Sequence, residues 1–189
     1  MIGESASFLE MQEHISHVAP LNKPVLFVGE RGTGKELVAA RLHYLSQRWE
    51  QTFLKINCAA MSETLLEAQL FGHEAGAYTG ATKQRKGFFE RAHGGTLFMD
   101  ELANTPMPVQ EKILRVIEYG EFERLGGNET LTVDVRIVGA TNEDLPDLAS
   151  QGRFREDLLD RLAFDVVTLP PLRERAEDIL ILAEYFAVG

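Results

Sequence analysis

Gly29, Gly34 and Lys35 stand at the spacing G-x-x-x-x-G-K, with Glu30, Arg31, Gly32 and Thr33 between them. A segment of this kind can hold phosphates. Glycines let successive backbone N–H groups turn inward around an anion, the following helix adds the positive end of its dipole, and a lysine supplies charge for the outer phosphates. The implied ligand is ATP held with Mg²⁺. Glu36 follows where most such loops carry Ser or Thr for the metal. Its carboxylate can contact the metal or its waters, or cap the helix start, and the sequence leaves both open. A second acidic motif, Asp100-Glu101, ends the apolar run "GTLFMDE". At the sheet edge where a phosphate loop lies, the two carboxylates divide the work. Asp100 holds Mg²⁺, and Glu101 polarises an attacking water as general base. The plainer reading of the pair is a strand that ends in a solvated acidic turn.

The elements that must position these groups follow from the apolar pattern. "PVLFVGE", "TFLKIN", "GTLFMDE", "TVDVRIVGATN" and "DVVTLP" are five short apolar runs, several without alternation, as in strands buried on both faces. Between them lie the helical patterns "KELVAARLHYLS", "SETLLEAQLF", "PVQEKILRVIEYG" and "REDLLDRLA", and Phe8, Met11, Ile15 and Val18 mark an opening amphipathic helix. Strand alternating with helix predicts an α/β fold, a five-stranded parallel sheet flanked by helices. At "LPPLRERAEDILILAEYFAVG" the character changes. The expected division is a nucleotide-binding subdomain over 1–169 and the start of a truncated helical lid subdomain over 170–189.

The chain has 189 residues, with 19 Lys plus Arg against 29 Asp plus Glu, a net charge of −10. So acidic a surface is a poor non-specific partner for nucleic acid. There is no run long and apolar enough for a membrane span, and the N-terminus lacks the pattern of a signal peptide. Cys58 is the only cysteine, so no internal disulfide forms, and a reducing, cytoplasmic setting fits. It reads as a small buried residue at a strand end.

Between Phe71 and Gly87 runs "FGHEAGAYTGATKQRKG", poor as helix and as strand, with one tyrosine framed by glycines. Gly76 and Gly80 permit sharp reorientation, and Tyr78 and Thr79 read as a small exposed tip carried away on its own helical stem. This stretch, with "GERGTGKE", "GGTLFMDE", "VQEKILRVIEYGEFERLGG", "RIVGATN" and "FREDLLDRL", resembles the central AAA+ domain of bacterial enhancer-binding proteins, the ATPase activators of RNA polymerase carrying sigma-54. The resemblance runs from Ile2 to the end and is nearest to the phage shock branch.

It implies an AAA+ P-loop NTPase that assembles a homo-oligomeric ring, expected to be a hexamer, and remodels the closed polymerase complex. Gly76, Ala77, Tyr78, Thr79, Gly80 and Ala81, within an insertion over 72–86, are then the sigma-factor contact, and a second loop over 120–128 moves with it. The usual tip has Phe where Tyr78 stands. Asn57 matches a switch asparagine that reports nucleotide state through the catalytic glutamate, although an ordinary strand-end turn fits it as well. Thr141 and Asn142 match a γ-phosphate sensor. Arg155 and Arg161 match two arginines offered to a neighbouring subunit's ATP. Six residues apart on one helix, they would point about 120° apart. Local ion pairs with Glu156, Asp157 or Asp160 are the competing reading. Trp49 matches the position where a separate inhibitor protein binds, against a partly buried tryptophan. DNA contact is expected only through a domain outside this segment. A function of another class, a nucleotide-binding switch or scaffold without turnover, is the alternative.

Overall fold

The computed structural model describes residues 2–188; Met1 and Gly189, the end points of the expected division, lie outside them. In chain order the elements are α1 (Ala6–Val18), β1 (Val25–Val28), α2 (Lys35–Tyr44), β2 (Phe53–Asn57), α3 (Glu63–Phe71), α4 (Phe88–Arg91), β3 (Thr96–Asp100), a 3₁₀ turn (Leu102–Asn104), α5 (Met107–Tyr119), β4 (Glu121–Glu123), β5 (Thr130–Thr132), β6 (Arg136–Thr141), α6 (Leu145–Ser150), α7 (Glu156–Leu162), β7 (Val166–Thr168), a second 3₁₀ turn (Leu172–Glu174) and α8 (Asp178–Val188). Five strands form one parallel sheet in the order β2-β3-β6-β1-β7.

The apolar runs are strands because both sheet faces are covered. Leu26, Leu97, Met99 and Ile137 pack into one core with α3 to α7, whereas Val25, Phe27, Phe98, Val138 and Ala140 pack into another with α1 and α2. Successive side chains thus enter opposite cores, and neither set needs to be polar. The four apolar residues predicted for the opening helix, Phe8, Met11, Ile15 and Val18, are its buried stripe. Below the sheet Arg136 is buried and donates to the carbonyls of Val18, Ala19 and Lys23 at 3.1, 2.6 and 3.1 Å, so it caps the C-terminal end of α1.

Two expectations need correction. "TVDVRIVGATN" is not one strand. Thr130–Thr132 pairs antiparallel with Glu121–Glu123, and the sheet strand starts only at Arg136. The second loop is therefore the turn of a small ribbon, whose Glu-Phe-Glu and Thr-Leu-Thr alternation flanks Gly126-Gly127-Asn128. The glycine-rich insertion, moreover, is not carried on a helical stem. Gly72, at φ +78°, ends α3, and the chain leaves through an extended neck in which His73 and Arg85 exchange backbone hydrogen bonds of 3.0 and 2.9 Å.

Glycine is required on both sides of that neck. A Cβ on Gly72 would lie 2.5 Å from the Arg85 carbonyl oxygen, and one on Gly87 would lie 2.3 Å from the Gly72 nitrogen. Backbone atoms on both sides leave no flexible neighbour to give way. Gly87→Ala is expected to destabilise the fold by about 2–3 kcal/mol, the upper range for forced overpacking. A urea denaturation midpoint equal to that of the parent chain would refute this account of the neck.

Candidate functional site

Parallel register brings most of the sequence-predicted residues to one sheet edge. Val28, the last residue of β1, is opposite Thr141, and Asn57 is opposite Asp100. The loop that follows β1 is tied to this edge by Gly29 N, which donates to Thr141 O at 3.1 Å. Gly32 and Gly34 have φ of +81° and +89°, a conformation that a side chain would oppose, so two glycines of the motif are needed for the turn itself. Lys35 opens α2 and is buried. Its Nζ donates to Gly29 O at 2.8 Å and Glu30 O at 2.9 Å, folding over its own loop. Burial holds this ammonium below the usual lysine range, while Asp100 and Glu101 pull the other way.

At the end of β3, Asp100 Oδ1 accepts from Glu101 N at 2.9 Å. Glu101 has φ 51° and ψ 44°, the only positive φ of a non-glycine residue among the described residues. Such a conformation costs about 1–3 kcal/mol and collects where function fixes a side chain. Its carboxylate lies 3.5 Å from the Arg31 guanidinium, so the phosphate loop and the acidic pair already touch. Among the described residues no three His, Cys, Asp or Glu side chains form a metal cage. Mg²⁺ bound with substrate phosphates needs only one or two carboxylates, and Asp100 is one carboxylate at this edge. Cys58, one residue past β2, is buried, and burial pushes its thiol up to about 12, so it stays protonated and inert.

The remaining candidates lie as follows. Asn57 Oδ1 accepts from Ala59 N at 2.9 Å, a strand-end turn. Thr141 Oγ1 accepts from Glu143 N at 2.9 Å, and the exposed Asn142 follows it. Glu36 makes neither a cap nor a contact with the acidic pair, because its carboxylate meets Lys55 Nζ of β2 at 2.5 Å. Arg155 is not on a helix with Arg161, because it is the N-cap of α7 and its backbone is extended. The two side chains therefore do not keep the 120° relation of two positions on one helix. Arg155 pairs with Asp157 at 2.7 Å, while Arg161 reaches Glu118 of α5 at 3.0 Å instead of an acid on its own helix. None of their ion pairs reaches the phosphate loop or the acidic pair, among the described residues. Trp49 is 55% exposed and meets the exposed Tyr44 edge-on, with ring centroids 6.4 Å apart.

The glycine-rich segment is folded on itself. Gly76 N donates to Ala81 O at 2.7 Å, Ala81 N to Tyr78 O at 3.0 Å, and Ala81 is buried. Tyr78 is half-buried rather than a projecting tip, its ring edge-on to His73 at 5.1 Å, while Thr79 is exposed. Ala77 packs so closely on Gly126 that a Cβ there would stand 2.9 Å away. Sequence reasoning missed the group that joins the two loops. Arg124 holds Glu90 through Nε at 2.8 Å and Nη2 at 2.6 Å, and Glu74 through Nη1 at 2.9 Å. Glu74 N and Leu125 N add backbone bonds to Leu125 O and Gly72 O at 2.9 and 3.0 Å. Phe71, Phe89 and Phe122 cluster there, 5.3 to 6.0 Å apart, with Phe122 tilted against the stacked pair of the other two.

Beside the phosphate loop lies a cavity of about 980 Å³ walled by Leu37, Tyr44, Leu172, Leu182, Tyr185 and Phe186. Arg173 and Glu30 line it too, and the two terminal nitrogens of Arg173 bind the Glu30 carboxylate at 2.7 and 2.6 Å. This pair joins residues 143 apart, and nothing in the local sequence signals it.

Residues 1–168 match the family model of the sigma-54 interaction domain. Over 188 residues the chain is 66% identical to the Psp operon transcriptional activator of Escherichia coli K12, covering all of this chain and 58% of that protein. A solved structure of NtrX from Brucella abortus in complex with ATP superposes with a TM-score of 0.91 at 39% identity, over 98% of this chain and 42% of that one. The P-loop NTPase domain of a sigma-54 activator from E. coli shares the fold at 18% identity, with a TM-score of 0.60 over 90% of this chain and 99% of that one. The AAA+ P-loop fold class expected from the sequence is thus the one observed. The chain spans little more than half the length of that Psp operon activator.

If Arg124 is what holds the two loops together, Arg124→Ala should raise amide exchange at Glu74 and Leu125 at least tenfold while leaving β3 and β6 protected. Unchanged exchange at both amides would mean that the backbone bonds suffice without it.

Proposed function

The chain belongs to the family of sigma-54 interaction domains, of the AAA+ type, and from that premise we propose that it hydrolyses ATP within a homo-oligomeric ring, expected to be a hexamer, and uses the cycle to remodel a sigma-54 RNA polymerase complex. The observation that carries this reading is the meeting of Lys35, Asp100, Glu101 and Thr141 at one sheet edge, next to a cavity of about 980 Å³. Lys35 exchanges its carbonyl partners for β- and γ-phosphate oxygens, and the backbone of Gly32, Thr33 and Gly34 donates to the same group. The apolar walls receive the base. Asp100 would hold Mg²⁺, and the bound metal would neutralise charge on the phosphates. Glu101 takes the proton of the attacking water, and Arg31 must leave it first. Asn57 and the pair Thr141-Asn142 report whether the γ-phosphate is there.

Arg155 and Arg161 act on a neighbour's ATP in this reading. Their present partners, Asp157 and Glu118, are on the surface, and exposed pairs of this kind contribute about 0–1 kcal/mol, so a triphosphate can displace them. Tyr78 and Thr79, with Gly76, Ala77, Gly80 and Ala81 as their frame, contact sigma-54. The Arg124 group gives nucleotide-driven motion a route into both loops. Trp49 with Tyr44 offers an aromatic surface to a separate inhibitor protein. No helix among the described residues is long and apolar enough to cross a membrane, and promoter DNA is left to a domain outside this segment.

Two variants measured together test the reading. Glu101→Gln is expected to bind MgATP normally and to lose turnover by at least about 10²-fold, the usual scale for removing a general base. Tyr78→Ala is expected to bind MgATP normally but to fail to capture sigma-54 in the presence of an ATP transition-state mimic. Near-normal kcat in the first, or undiminished capture in the second, would remove the role assigned to that residue.

A further inference from the structure

Asp178 is the only acidic side chain among the described residues that is fully buried, and it takes no part in the phosphate chemistry. Its carboxylate receives three hydrogen bonds from the other end of the chain. Glu4 N donates to Oδ1 at 2.7 Å, Ser5 N to Oδ1 at 2.9 Å, and Ser5 Oγ to Oδ2 at 2.8 Å. Arg175 lies 3.9 Å away. Ser5 is the N-cap of α1, and Asp178 is the first residue of α8. Two positive helix ends and a guanidinium therefore converge on one negative charge, which is why it can be buried without neutralising. The approach is close enough to require glycine nearby, since a Cβ on Gly3 would stand 2.8 Å from Asp178 Oδ2 and 2.6 Å from the Phe8 ring.

Both clasped segments line the cavity beside the phosphate loop. Ile2 and Phe8 come from the N-terminal side, and Arg175, Leu182, Tyr185 and Phe186 from the other. Arg175 joins the two walls a second time, its guanidinium 5.1 Å from the centre of the Phe8 ring. Its Nε is buried without a hydrogen-bond partner, a donor left over at the cavity wall.

We infer that Asp178 is a positioning residue for the base end of the nucleotide: by binding the backbone of Glu4 and Ser5 it makes Ile2, Phe8, Arg175 and α8 one wall, so that base affinity depends on a carboxylate that touches no ligand. This rests on the reading of the cleft as a nucleotide site. A heteroaromatic base fits such a wall, with apolar faces on both sides and a guanidinium edge. The phosphates are held elsewhere, by Lys35 and the loop amides, and do not depend on the clasp. A base-free triphosphate therefore separates the two ends of the site.

The test is calorimetric titration of the parent, Asp178→Asn and Ser5→Ala proteins with MgATP and with magnesium tripolyphosphate. Asp178→Asn should lose at least tenfold in affinity for MgATP and Ser5→Ala about threefold, while tripolyphosphate affinity stays within about twofold for both. A loss of equal proportion for the two ligands would make the clasp a general structural tie, and no loss for either would make it irrelevant to the site; either result overturns the inference. If Asp178→Asn does not fold, the same ratio in Ser5→Ala decides. A parent protein that binds MgATP no better than tripolyphosphate would overturn the cleft reading itself, a result distinct from a normal parent with unselective variants.

Discussion

Parallel register is the constraint from which the rest of the site follows. Strands that run the same way end at the same edge, so Val28 meets Thr141 and Asn57 meets Asp100 whatever the intervening helices do. The edge holds because each strand is buried on both faces. A slip of one residue would send Leu26 or Leu97 into the wrong core and would carry Gly29 and Asp100 away from each other. The phosphate loop, the acidic pair and Thr141 are thus placed by the hydrophobic sheet before any ligand arrives. Glu101 is the one residue at that edge held against its own backbone preference.

Five cations of the site are engaged by partners they can give up. Lys35 is on two carbonyls of its own loop, Arg31 on Glu101, Arg173 on Glu30, Arg155 on Asp157 and Arg161 on Glu118. In each of these ion pairs one partner is at least half exposed, and such pairs contribute about 0–1 kcal/mol each. A triphosphate offers more charge at closer range. The Arg124 group is of another kind. Its guanidinium and Glu90 are both only 10% exposed, and the bond is bidentate, so it persists while the exposed pairs exchange. The molecule therefore joins a loosely held nucleotide edge to firmly joined loops, the arrangement a device needs if nucleotide state is to move both loops together.

Much of this was legible in the chain. The G-x-x-x-x-G-K spacing and the apolar run ending in Asp100-Glu101 are local signals, and the unalternating runs announce a sheet buried on both sides. The opening helix was readable from four apolar residues. The β4–β5 ribbon also had its signal, in alternation around two glycines, and was hidden by reading Thr132 into the following strand. What was not legible depends on partners far apart in sequence. Arg173 with Glu30 and Ser5 with Asp178 join residues 143 and 173 apart, and no local pattern marks them. Arg155 is illegible for a different reason, because an N-cap looks like helix in sequence while its backbone is extended. The neck at Gly72 and Gly87 depends on two backbones in contact, which composition does not reveal.

In the proposed cycle one subunit's Glu101 works with another subunit's Arg161. Neither Arg155 nor Arg161 has an ion pair that reaches its own phosphate loop, among the described residues, and an arginine supplied across a boundary can raise turnover by about 10³–10⁵. The most direct test mixes Glu101→Gln protein with Arg161→Ala protein, each inactive alone, and follows ATP hydrolysis after the rings have exchanged subunits. Some sites then combine an intact Glu101 with an intact neighbouring Arg161, and the account predicts that turnover returns. No recovery in rings shown to be mixed would mean that Arg161 acts within its own chain or only in its structure, and would contradict the account.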